Sequence, residues 1–242
     1  ATRSSPEALA SHAGPNDEES SSSPSPVSSR RRPVAPSRVR DTATGFEISS
    51  RQIGTEPGHD SLIGPPHARC EASDDGTARP AGNGSPELRW SAVPRAAKSL
   101  VLLAIDPDAP VSLEAGLAGE GDIPVDAPRK DFFHWVMVDI PTDVTELPAE
   151  VSPGAIGRVG LNDFGEARWD GPCPPWRDER IHRLGFHLYA LDVPSLDLPE
   201  AFGGQDVLRA MEGHILSEVS LSGLYWINPS ITLPDVPERE GF

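Results

Sequence analysis

Apolar and polar positions along the chain mark out a series of strands, one helical stretch and one long irregular segment. Phe46-Glu-Ile-Ser-Ser50 and Glu87-Leu-Arg-Trp-Ser91 alternate with a period of two, as strands with one buried face do. The second follows a turn-forming Asn83-Gly-Ser-Pro86. Ser99-Leu-Val-Leu-Leu-Ala-Ile-Asp106 is apolar on both faces and predicts a central strand. Strands are also predicted over 132–140, 184–192 and 220–227. The Gly/Pro-rich region 152–182 is too long for an ordinary connection and reads as a functional loop. One helix is predicted, because Val207, Leu208, Met211, Ile215, Leu216 and Val219 share a helical face and Asp206 complements the dipole in the first turn. Several strands with one or two helices, in no regular alternation, predict a mostly β, sandwich-like domain.

Composition divides the chain. Residues 1–45 are dominated by Ser, Pro, Ala and Arg, including Ser20-Ser-Ser-Ser-Pro-Ser-Pro26 and Arg30-Arg-Arg32. Such a segment has too few large apolar side chains to offset its ordering entropy and predicts a disordered tail, with the folded domain over 46–242. Six of the 21 basic and five of the 37 acidic residues lie in 1–45, which leaves 15 against 32 in 46–242. A domain this acidic repels a phosphate backbone, which argues against nucleic-acid binding. No run approaches the roughly 18 apolar residues of a membrane span. The first residues lack the apolar core of a secretory signal, so a cytoplasmic protein is expected, or a periplasmic one if a signal was removed. Cys70 and Cys173 form no disulfide framework and no zinc signature, and Cys173, between prolines, is expected to be structural.

The candidate chemistry lies at strand ends. Asp106 and Asp108 sit in Asp106-Pro-Asp-Ala-Pro110, where two prolines suggest that the strand leaves the sheet in a rigid turn. His134 opens the next apolar run, and His182-Arg183 precede the strand at 184. If these strands are neighbours, a carboxylate and two imidazoles converge beside Gly171-Pro-Cys-Pro-Pro175. Such a set can hold a metal, but it lacks a local ligand signature such as HExxH. It can serve a hydrolase, but no GxSxG elbow is present. It can bind an anion through imidazole N–H groups and the amides around Gly171, with Asp106 fixing one ring's tautomer. It can also be purely structural, with the aspartates in turns and the histidines satisfied by the core. Asn83-Gly-Ser85 fits a turn better than a glycosylation site, given Pro86, and His214 reads as a packed or surface residue.

At these residues the sequence resembles the phosphatidylethanolamine-binding protein family, in its bacterial Raf-kinase-inhibitor-like branch. The resemblance rests on Asn83-Gly-Ser-Pro-Glu-Leu-Arg-Trp90, Asp106-Pro-Asp-Ala-Pro110, His134-Trp-Val136, Asp170-Gly-Pro-Cys-Pro-Pro175, His182-Arg183 with Phe186, Leu188-Tyr-Ala-Leu-Asp192 and Met211-Glu-Gly-His-Ile-Leu216, in the family's order. It implies a β-sandwich with one or two helices and a small non-catalytic pocket for phosphate, carboxylate or phosphoethanolamine-like head groups. The residues it implies are Asp106, His134, Gly171, Pro172, Pro174, Pro175 and His182, with Asp108 and Pro110 supporting the turn. It implies no cofactor and no metal. The partner is then a small anion or phospholipid head group, or alternatively a protein, since some members regulate kinases. Leu184 stands where many relatives carry Tyr, and Trp169 where an aromatic Tyr is common.

Overall fold

Two strands of twelve residues, each with a middle stretch buried on both faces, make the centre of the fold: β5 (Ser99–Pro110) and β6 (Arg129–Ile140). They lie in a five-stranded antiparallel sheet of order β10-β9-β5-β6-β8, completed by β8 (Arg158–Val159), β9 (His182–Leu191) and β10 (Ile215–Tyr225). A second sheet, β1-β4-β7, joins β1 (Glu47–Ser49), β4 (Leu88–Ser91) and β7 (Glu146–Leu147), and β2 (Cys70–Ala72) pairs with β3 (Ala78–Pro80). The structure is a computed structural model and describes residues 41–53, 62–75, 77–111 and 121–231. Most of the predicted tail, 1–40, lies outside the described residues, whereas Asp41 to Phe46 form a closed turn with Gly45 N donating to Asp41 O at 2.8 Å.

Alternation along β5 explains why its sequence is apolar throughout. Leu100, Leu102 and Ala104 face a core shared with Ile48, Leu88, Trp90 and Leu147 of the smaller sheet. Val101 and Leu103 face the opposite side, where Phe202 and the helix α1 (Gly204–Ala210) cover the sheet through Val207 and Met211. Among the described residues the protein is therefore mostly β, two sheets face to face with one α-helix on the outer side. Each fully buried Leu or Phe contributes roughly 1.5–3 kcal/mol by leaving water.

Two expectations change. The helix ends by Met211, because Gly213 at φ +80° turns the chain and Ile215 enters β10. Ile215, Leu216 and Val219 are strand residues, and a spacing of four fits one face of a strand as well as of a helix. Asp106-Pro-Asp-Ala-Pro110 is also not a turn. β5 runs on through Pro110, pairing with Arg129 of β6, after a register shift between Asp106 and Ala109. The prolines are tolerated because β9 pairs with β5 only as far as Ile105, so this end is a free edge needing no amide donor on that side.

Candidate functional site

Three neighbouring strands, in the order β9, β5, β6, deliver the predicted side chains to one end of one face of the large sheet. Asp106 continues the parity of Leu100, Leu102 and Ala104, and His182 that of Leu184, Phe186 and Leu188, so both project on the side of the inter-sheet core. His134 reaches the same side by a different device. Ala104 pairs with Trp135 and Ile105 with Phe133, which makes His134 the extra residue of a β-bulge. Two consecutive residues then meet one ring: Trp169 lies 6.4 Å from His134 and 5.7 Å from Trp135, centroid to centroid.

The polar contacts give each group a distinct task. His182 Nδ1 lies 2.6 Å from Asp106 Oδ2, and its Nε2 lies 3.1 Å from Asp178 Oδ2. Burial alone pushes this ring down, but the Asp106 and Asp178 charges and hydrogen bonds overcome it and the pKa is raised to about 9. It is an imidazolium between two carboxylates. Burial opposes ionisation of both acids, yet His182 holds Asp106 below the usual range, and His182 with Arg129 does the same for Asp178. Arg129 grips Asp178 at 2.5 and 2.9 Å. The sequence predicts both imidazoles donating to one anion, whereas both nitrogens of His182 face carboxylates and leave no free N–H.

His134 is different. Its Nδ1 lies 2.7 Å from the carbonyl oxygen of Asp170, and Nε2 has no hydrogen-bond partner among the described residues. Burial pushes this ring below its ordinary value, against the opposing pull of Asp106 and the bond to Asp170.

The loop over the site is fastened at many points. Gly171 N donates to Asn83 Oδ1 at 2.8 Å, and Arg69 N donates to Pro172 O at 3.1 Å. The Asp170 carboxylate, fully buried, accepts from Asn83 and Asn162 and pairs with Arg69 and Arg168. Cys70 and Cys173 form a disulfide between β2 and this loop. The single bridge joins cysteines 103 residues apart, a separation that carries no spacing signal. Gly171 was expected to offer its amide to a ligand, but Asn83 holds it. Pro172, Pro174 and Pro175 have no N–H to give, so within 171–175 Cys173 has the amide without a partner among the described residues.

A Cβ on Gly171 would press into the His67 carbonyl oxygen and lie 2.8 Å from Ala68 Cα. Gly171→Ala is therefore expected to cost about 1–3 kcal/mol, measured by chemical denaturation. Unchanged stability would mean that the loop is not docked as described.

Asp108 and Pro110 support this end of β5 from outside the cluster. Asp108 accepts from Arg180 Nε at 2.6 Å and from the Arg183 amide at 3.0 Å, and Pro110 is buried in the strand. Leu184 sits in the core, 1% exposed, and Trp169 stacks on Phe186 at 5.6 Å. Asp178 is the residue that the sequence reading missed. It lies in an irregular segment held beside Ile123, where only its position four residues before His182, in the charged run Arg177-Asp-Glu-Arg180, hinted at a role. Among the described residues no cluster of His, Cys, Asp and Glu is arranged to hold a metal, and no helix is long and apolar enough to cross a membrane.

Comparison with known proteins follows the same residues. The family model described as phosphatidylethanolamine-binding protein matches residues 71–226. A UPF0098 protein of Methanothermobacter thermautotrophicus is 44% identical over 149 residues, covering 59% of this chain and 83% of the relative. The UPF0098 protein YbhB of Escherichia coli is 31% identical over 148 residues, covering 59% and 82%. Among solved structures, E. coli YbcL, described as a new member of the mammalian PEBP family, superposes with a TM-score of 0.58 at 26% identity, over 76% of this chain and 99% of YbcL. A PEBP homologue of Chlamydia trachomatis gives a TM-score of 0.54 at 29% identity, over 75% and 97%. With more than half its length matched and the sandwich shared, the chain belongs to the phosphatidylethanolamine-binding protein family.

Proposed function

We infer that the chain is a binding protein rather than an enzyme, and that the site formed by Asp106 of β5, His134 of β6 and His182 of β9 receives the phosphate or carboxylate head of a small anion or phospholipid. One observation carries this reading: His134, at a bulge and 3% exposed, keeps a ring nitrogen without a protein partner beside an imidazolium and under a cross-linked loop. A ring nitrogen that no protein group engages, on a side chain otherwise packed and held by its other nitrogen, is free to meet a ligand. Catalysis by acyl transfer would need a nucleophile against one of the rings. Among the described residues, neither His134 nor His182 hydrogen-bonds a Ser, Thr or Cys side chain.

Affinity for a lone anion is modest on this arrangement, because His182 and the Gly171 amide are already engaged. Calorimetric titration with inorganic phosphate is expected to detect saturable binding. His134→Ala, with its fold checked by thermal denaturation, is expected to weaken that binding at least about tenfold, the loss of one well-placed partner. Undiminished binding by this variant would remove the site from consideration.

A further inference from the structure

We propose that the pocket takes up its oxyanion together with one proton, and so prefers phosphate monoesters and other oxyacids that retain an acidic hydrogen over oxyanions that have none. The proposal rests on the binding reading above and adds the protonation class of the ligand. It starts from the tautomer of His134. A carbonyl oxygen can only accept, so Nδ1, 2.7 Å from Asp170 O, carries a hydrogen. In the neutral ring Nε2 then presents a lone pair. An oxygen of a fully ionised ligand would meet that lone pair acceptor to acceptor. A ligand O–H would donate to it. At a pH where the free ligand is fully ionised, one proton therefore enters with the anion.

The surroundings keep the ring neutral until the ligand arrives. Phe132, Phe164 and Trp169 pack around it with centroids at 5.1, 5.8 and 6.4 Å. The charged groups facing it come from three directions. From β5 comes Asp106, both of whose oxygens accept hydrogen bonds, from the Asp108 amide and from His182. From β9 comes the His182 imidazolium, which disfavours a second positive ring beside it. From the loop come Asp163, accepting from the Phe133 amide at 2.8 Å, and Asp170, whose carboxylate is held by Asn83, Asn162, Arg69 and Arg168. Arg69 lies over the Phe164 ring, 4.2 Å from its centroid. Asp178 lies on the far side of His182 from Asp106. It places a second carboxylate where a dianion would otherwise gain most, so the cluster of Asp106, Asp178, His182 and Arg129 is neutral in sum.

The test uses methyl phosphate, whose monoanion carries an O–H, and methyl sulfate, a monoanion of the same shape with none. Dimethyl phosphate serves as the third probe and represents the diester linkage of a phospholipid. At about pH 6, where a phosphate monoester is near half-protonated, methyl phosphate is expected to bind at least about tenfold more tightly than either of the others. Above about pH 7 its apparent affinity is expected to fall about tenfold per pH unit, because the dianion must regain a proton. Calorimetry in two buffers of different ionisation heat then reads an uptake of about one proton per ligand. His134→Gln, which offers an amide N–H at the same place, is expected to abolish the preference. Equal binding of methyl phosphate and methyl sulfate, without proton uptake at about pH 8, overturns the proposal and leaves the binding site standing. Failure of all three probes to bind at any pH overturns the site itself.

Discussion

Replacing Cys70 and Cys173 together by alanine is expected to lower the free energy of unfolding by about 4 kcal/mol. The bond closes a loop of 103 residues, and the chain entropy that a cross-link of this span removes from the unfolded state is worth about 4–5 kcal/mol. Against a total stability of roughly 5–15 kcal/mol for a domain, that is a large share. The loss is not confined to the unfolded chain. Cys173 lies between Pro172, which accepts from the Arg69 amide, and the prolines that lead to Asp178, so cutting the bridge also frees one wall of the site. Denaturant titration of the double variant, alongside wild type with and without reductant, checks this. A difference below about 1 kcal/mol would show that the remaining hydrogen bonds hold the loop unaided.

His182 is expected to produce the second large effect, in two experiments. His182→Ala leaves Asp106 and Asp178 facing each other across an empty space, with Arg129 as the remaining cation, and breaking a buried ion pair in this way costs about 3–5 kcal/mol. The wild-type protein is also expected to lose stability with rising pH. The folded pKa of His182 is raised to about 9, so its contribution is complete below the unfolded value of about 6.5 and disappears as pH climbs through that window. Asp106 and Asp178 are held low, so their contribution disappears at the acid end. Melting temperature is expected to fall by about 5–10 °C from about pH 6.5 to about pH 9. A slope equally steep in His182→Ala would assign the alkaline loss to other groups.

Much of this architecture was readable because the long strands advertise themselves. Residues 99–106 are apolar on both faces since one face meets the second sheet and the other meets α1 and Phe202. The meeting of Asp106, His134 and His182 was readable only on the condition that their strands are neighbours, and His134 reaches it from mid-strand through a bulge rather than from a strand end. What the residues left hidden depends on distance along the chain. The Cys70–Cys173 bond and the Asn83 clasp on Gly171 join segments that carry no shared pattern. Asp178 was hidden because an irregular segment has no period to read. Local ambiguity produced the remaining misreadings: Met211, Ile215 and Val219 satisfy a helical spacing that Gly213 interrupts, and two prolines signal a turn unless the strand beside them is an edge.

The bulge at His134 makes strand length, as much as residue identity, a determinant of which side chain is presented at this point of the sheet. Deleting one residue at this point would bring Phe133 and Trp135 into ordinary alternation and withdraw the histidine, and a one-residue insertion elsewhere in β6 would send a different side chain to the same place. Divergence among such domains can thus proceed by gain or loss of a single position in a strand that otherwise looks like uniform core.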